Sequence, residues 1–158
     1  MVMKVIQEHI GEDSVPMATA QFYWGNLLLC IDDRVGAFDA FSKCFIIRQK
    51  LMPIHFDTAF AAHKLGVMAA QNKDLDASIR FLTEALRIFG DAPPLGLAAT
   101  RTAYLLSIVM LEANRKDDAE LMRERVYQAL EARGKRTEAE KAGYSQDFFD
   151  TFVLFRHL

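Results

Sequence analysis

The residues able to do chemistry in this sequence are few and scattered. His55 and His63 stand eight positions apart, a spacing at which a helix can bring two imidazoles to one face as metal ligands. His63 falls in a helical pattern, however, while His55 falls in the linker before it. No acidic or thiol third ligand sits at helical spacing, so no metal is expected. The acidic pairs Asp32/Asp33, Asp74/Asp76 and Asp117/Asp118 have the composition for acid–base catalysis or calcium. They recur at the same place in successive segments, ahead of a helical pattern each time. Helix N-capping and favourable charge at helix N-termini are therefore the expected roles. Neither Cys30 nor Cys44 is expected as a thiolate nucleophile. Both lie in apolar helical patterns and are expected as buried free thiols in a reducing compartment. Neither G-x-G-x-x-G nor G-x-x-x-x-G-K-[ST] occurs, and C-x-x-C and H-x-x-x-H are absent too. The sequence thus offers no catalytic constellation, and neither an enzyme nor a cofactor is expected.

The elements that position these residues are helical. The 158 residues, 51% hydrophobic and 25% charged, suit one domain spanning 1–158 with a real core. A net charge of -2 argues against a nucleic-acid or anionic-membrane partner. Arg123, Arg125, Arg133, Lys135 and Arg136 do cluster. They alternate with Glu120, Glu124, Glu131 and Glu138, which describes a solvated helix face. No run reaches the roughly 18 apolar residues of a membrane span. The start, "MVMKVIQEH", lacks the apolar core and cleavage site of a secretory signal, so the cytoplasm is the expected compartment.

A repeat organises the chain. Gly25, Gly66 and Ser107 are each 41 residues from the next. The same shift aligns Ala37, Ser78 and Ala119; Cys44, Ala85 and Val126; and Leu28, Ala69 and Met110. Phe41 and Leu82 align as well, but Arg123 breaks that column. Small residues in such columns imply helices in close contact, where an added methylene costs about 1–3 kcal/mol. Each unit reads as helix A, turn, helix B: repeat 1 over 15–50, repeat 2 over 56–90 and repeat 3 over 94–134. Gly90 and Gly134 read as helix stops, and Pro93 and Pro94 as the start of the third helix A. Residues 3–10 read as the end of a preceding B helix, with Val5 and Ile6 in register with Ile46 and Ile47. Residues 144–157 read as one capping helix, with Phe148, Phe152 and Phe155 on a shared face and Phe149 and Val153 beside them.

The stretches "KLGVMAAQNKDLDASIRFLTEALRI", "YWGNLLLCIDDRVGAFDAFSKCFII" and "YLLSIVMLEANRKDDAELMRERV" resemble the tetratricopeptide repeat. The usual unit is about 34 residues, and the longer spacing here resembles the variety found in kinesin light chains. That variety joins its units with Gly-x-Asp-His-Pro-x-x-Ala, to which "GEDSVPMATA", "MPIHFDTAFA" and "GDAPPLGLAA" are similar. The closing "DFFDTFVLFR" resembles the ends of such arrays in fungal multidomain proteins that carry an NTPase switch. The resemblance implies an all-α, right-handed α-solenoid of about three hairpins with a C-terminal capping helix. It also implies a concave groove lined by the A helices. By the motif, that groove draws on Thr19, Phe22, Tyr23 and Asn26, then on Phe60, His63, Lys64 and Val67. The third unit supplies Arg101, Tyr104, Leu105 and Ile108.

Aromatic rings with a few donors suit a peptide or helix laid along such a groove, and Lys64 and Arg101 suit a carboxylate. Phe22, Phe60 and Tyr104 have an alternative role as packing between neighbouring A helices. The Asn, Lys and Arg clamp of chaperone-binding relatives is missing: its Asn place holds Tyr23, Lys64 and Leu105. The expected function is a non-catalytic module that binds a protein or peptide. The second reading is a self-associating scaffold, or the sensor end of a larger NTPase-containing protein.

Overall fold

The computed structural model describes residues 11–90 and 93–151. Among them are eight helices: α1 (Val15–Cys30), α2 (Arg34–Leu51), α3 (Phe56–Gln71), α4 (Leu75–Phe89), α5 (Leu97–Glu112), α6 (Lys116–Glu131), α7 (Arg136–Lys141) and α8 (Gln146–Asp150). Helices α1/α2, α3/α4 and α5/α6 pack as hairpins, and α2 meets α3 as α4 meets α5. The result is an α-solenoid. Its A helices begin at Val15, Phe56 and Leu97 and its B helices at Arg34, Leu75 and Lys116, so both series keep the 41-residue spacing. The expected helix over 3–10 lies outside the described residues.

The same spacing governs the turns. Asp32, Lys73 and Asn114 take left-handed backbone conformations, with φ of 59°, 61° and 60°. One residue later the amide reaches back five places to close the helix. Asp33 N–H donates to Leu28 O at 2.9 Å, Asp74 N–H to Ala69 O at 3.0 Å, and Arg115 N–H to Met110 O at 2.8 Å. Asp33 and Asp74 then start the next helix, their carboxylates accepting from Gly36 N–H and Ala77 N–H. The third pair departs from the capping expectation: Arg115 holds the N-cap place without a side-chain capping bond, its guanidinium pairing with Asp118, and Asp117 and Asp118 sit in the first turn. There they still face the positive end of the helix. Asp32 bends in the turn and pairs with Arg34 rather than capping.

Close approach within each hairpin explains the small columns. A Cβ built on Gly66 would stand 2.6 Å from Leu82 Cγ and 3.3 Å from the Leu82 backbone nitrogen. On Gly25 it would meet the Phe41 ring at 2.9 Å. Ser78, in the partner small column, donates its hydroxyl to Gly66 O at 2.8 Å. Ala37, Cys44, Ala85, Ala119 and Val126 are all buried at equivalent places.

Two expectations need correction, and the C-terminal region adds an element. Cys30 is exposed, because it is the last residue of α1 beside the turn, a place that Gln71 and Glu112 also leave exposed; of the two cysteines Cys44 is the buried one. Burial pushes the Cys44 thiol up to about 11, against a smaller opposing pull from Arg48. Pro93 and Pro94 precede the third A helix in a bend rather than opening it; Gly96 is the N-cap and Leu97 the first helical residue. Between repeat 3 and the expected cap stands a further short helix, α7, and the chain turns left-handed at Gly143 and Tyr144 before α8 begins. Within it Phe149 is the fully buried ring and Phe148 is half-buried. The rest of the expected 144–157 helix, including Phe152, Val153 and Phe155, lies outside the described residues.

Two outcomes are expected. Gly66→Ala should destabilise by about 1–2 kcal/mol in urea melts, since overpacking at buried Leu82 outweighs the roughly 1 kcal/mol gain in helix propensity. Alkylation of the native chain should modify Cys30 and spare Cys44 until denaturant is added, as peptide mass mapping would read directly.

Candidate functional site

The A helices α1, α3 and α5 supply every residue of the expected groove, and the repeat sorts them into columns. One column, Phe22, His63 and Tyr104, turns toward the next helical element in the stack. Phe22 is buried with its ring edge-on to Phe41 at 5.5 Å, and the Arg48 guanidinium lies 5.2 Å from its centre. His63 is buried and reaches α5, where its Nδ1 lies 3.0 Å from Thr102 Oγ1. Thr102 Oγ1 donates back to Ala98 O at 3.0 Å, so the histidine donates from Nδ1. Nε2 is then an acceptor without a partner inside the core. Burial first, then the charges of Arg101 and Lys64, hold the His63 imidazole well below its ordinary range, and it stays neutral. His55, by contrast, is exposed and caps α3, its Nδ1 accepting from Asp57 N–H at 3.2 Å. The two histidines do not converge.

The column of Thr19, Phe60 and Arg101 is also largely enclosed. Phe60 is buried, with Phe89 edge-on at 4.9 Å. Arg101 is buried, and its Nε donates to Asp150 Oδ1 at 2.6 Å. Next to that pair Tyr104 stacks on Phe149, with ring centres 4.1 Å apart and planes 19° from parallel. The chain's own C-terminal segment α8 therefore occupies the part of the A-helix face that Arg101 and Tyr104 were expected to offer.

Two columns remain accessible across all three units. The first is Tyr23, Lys64 and Leu105; the second is Asn26, Val67 and Ile108. Tyr23 is exposed and the other five are half-buried, with Asn26 Nδ2 donating to Phe22 O at 3.2 Å. Lys64 is the cation of this surface. Its burial lowers the ammonium to about 8, with Arg101 adding to the effect and Asp150 opposing it. The surface is thus apolar, with one amide, one phenol and one easily neutralised amine. It holds neither a nucleophile–base pair nor a set of metal ligands; among the described residues no group of three or more His, Cys, Asp or Glu side chains is placed to hold an ion.

Sequence reasoning missed Arg48. It is buried between α2 and α3, donates from Nη1 to Asp57 O at 2.9 Å, and leaves Nε without a partner. Its only signal was a basic residue in the last turn of a B helix. The Arg101–Asp150 pair had no signal at all, since 49 residues separate the two.

No family model and no curated protein matches this sequence. Among solved structures, the crystal structure of BtubC (BKLC) from P. vanneervenii aligns with a TM-score of 0.71 at 20% identity, over 83% of this chain and 53% of that one. The matched part is about half the length of that protein. At this identity the likeness concerns the fold, a TPR-like array of stacked helix hairpins. No described helix is long and apolar enough to cross a membrane.

The charge state of Lys64 provides a check on this geometry. Its folded value of about 8 lies below the ordinary 10.5, so the protonated amine costs stability below about pH 8 and the cost fades as pH climbs toward 10.5. Lys64→Met should therefore be more stable than the parent near pH 7 by about 1–3 kcal/mol after allowance for solvent screening, and the gap should close near pH 10 in paired denaturant titrations.

Proposed function

We propose that the protein is a non-catalytic interaction module that holds an extended peptide or a helix along its A-helix face. The reading is carried by one observation. The columns Tyr23/Lys64/Leu105 and Asn26/Val67/Ile108 stay accessible through three successive units, while the columns beside them are consumed by packing. Such a pair of rows, one helix spacing apart at each step, matches a ligand longer than a single pocket would take. Val67, Leu105 and Ile108 supply apolar contact, and Tyr23 supplies a large amphipathic ring of the kind that anchors interfaces. Asn26 has a spare amide for ligand backbone, and Lys64 can pair with one carboxylate. Arg101 already spends its charge on Asp150, so ligand acidity is read mainly by Lys64.

The likeness to a TPR-like array agrees with a protein or peptide partner and carries no partner's identity. A cytoplasmic setting and a place beside an NTPase switch belong to the same proposal. Neither follows from the helix packing.

The test is a photo-crosslinking comparison in the native host. A crosslinker replacing Tyr23 or Ile108 should capture a discrete partner, and one replacing Val35 or Leu121 on the exposed B helices should not. Val67→Glu in the same chains should cut that capture about 10-fold, equal to about 1.4 kcal/mol, with the helical signal retained. Adducts that form equally from the B-helix sites, or that ignore Val67→Glu, would remove the groove from consideration.

A further inference from the structure

The outward face of α1 is a copy of the repeating interface, and among the described residues no counterpart helix stands on it. In the interior, two columns define that interface. Leu65 and Leu106 are each 1% exposed, and Met68 and Val109 are 4% and 2% exposed. Leu65 and Met68 share a core with Phe41, Phe45 and Ile47 of α2, and Leu106 and Val109 share one with Ile79, Leu82 and Leu86 of α4. Each interior A helix thus buries these places beside the B helix of the unit before it. In α1 the same columns hold Trp24 and Leu27, which are 41% and 51% exposed. The flanking places repeat the pattern: Ala61 and Ala62 of α3 are fully buried, whereas Ala20 and Gln21 of α1 are half-exposed. From Ser14 to Ile31 the chain carries no charged residue. A helix face meant for water would ordinarily carry charge, and a contiguous apolar patch on a soluble protein marks a contact.

We infer that this face docks a further helix hairpin of the same repeat type, whose second helix lies on Ala20, Trp24 and Leu27 as α2 lies on α3. The chemistry required of the occupant follows from α2 and α4. It is an amphipathic helix whose contacting stripe is aromatic and aliphatic, as Phe45 and Ile47 or Ile79 and Leu86 are. A second copy of this chain is a poor source of that stripe. Its last B helix, α6, already shares a core with Ala139 of α7 and Phe149 of α8, both fully buried. Donating α6 to another copy would require that cap to leave. The docking face is separate from the peptide surface proposed above, which uses the columns of Tyr23 and Asn26, and neither reading depends on the other.

Trp24 is the sole tryptophan of the sequence and sits in the middle of the face, so it reports the contact directly. The experiment lengthens the chain by replacing residues 1–14 with a second copy of residues 56–96, a complete unit that contains no tryptophan. If the face is a stacking interface, Trp24 emission shifts to the blue, acrylamide quenching falls several-fold, and the melting temperature rises by about 5 °C or more. Leu27→Glu should abolish the gain in the lengthened chain and leave the melting temperature of the parent chain nearly unchanged, because Leu27 is half exposed there. A second lengthened chain carrying residues 97–137 in place of 56–96 guards against one copy folding badly. An unchanged Trp24 signal, or failure of both lengthened chains to gain cooperative stability, would overturn the inference. So would a parent chain that sediments as a dimer and becomes monomeric on Leu27→Glu, since the face would then be taken by a second copy.

Discussion

The structure depends on how closely helices A and B of one hairpin approach. At residue 66 there is no room for a Cβ, because Leu82 fills the place, and at residue 25 the Phe41 ring does the same. A large side chain from helix B enters a notch in helix A, and the notch exists only because the A residue is glycine. Where the third unit replaces glycine with Ser107, the residue at the register position of Phe41 and Leu82 is Arg123, half-buried rather than fully enclosed. The notch and the side chain that fills it therefore vary together. Each hairpin made this way has a fixed angle and depth, so every unit presents the same outer surfaces to the next. A period of 41 residues in helix starts, in left-handed turn residues and in six-residue turn bonds is the consequence.

Between hairpins the packing is less strict and more polar. The A helices α3 and α5 meet through His63 and Thr102, and α5 meets the cap helix α8 through Tyr104, Arg101, Phe149 and Asp150. A neutral imidazole with an orphaned Nε2 and a guanidinium with an unpartnered Nε lie in this region. Each costs stability on the order of 1–3 kcal/mol relative to a satisfied group. An apolar core would avoid that cost. The polar contacts are nevertheless directional, and directional contacts fix the rotation of one unit on the next more tightly than aliphatic packing does.

Much of this architecture was legible in the sequence because it is written in small residues. Gly25, Gly66, Ala37, Ser78 and Ala85 can be recognised without knowing what faces them, since only close packing requires that size. The A-helix face was less legible. Phe22, Phe60 and His63 have residue types that fit a binding groove or a core equally well, and periodicity gives the helix face without telling how far a neighbour covers it. Cys30 was misjudged for a different reason. It ends an apolar helix, but its column, with Gln71 and Glu112, is exposed in every unit, because the last residue of helix A lies beside the turn. The short helix α7 was not legible either: it is set off from α8 by left-handed backbone at Gly143 and Tyr144, and tyrosine gives no sign of that conformation.

Position within the stack is what converts one residue type into different roles. Leu65 and Trp24 occupy the same column, as do Met68 and Leu27, yet the first of each pair is core and the second is surface. The difference is that, among the described residues, a B helix stands in front of Leu65 and Met68 and none in front of Trp24 and Leu27. The same logic applies at the other end, where Tyr104 stands in the column of Phe22 and His63 but is covered by a short, bent segment instead of a full hairpin. A column therefore defines a contact, and the neighbouring unit decides whether that contact is made. In this chain the inner columns are closed by its own helices, one end is closed by α7 and α8, and the columns facing neither neighbour stay half-buried or exposed.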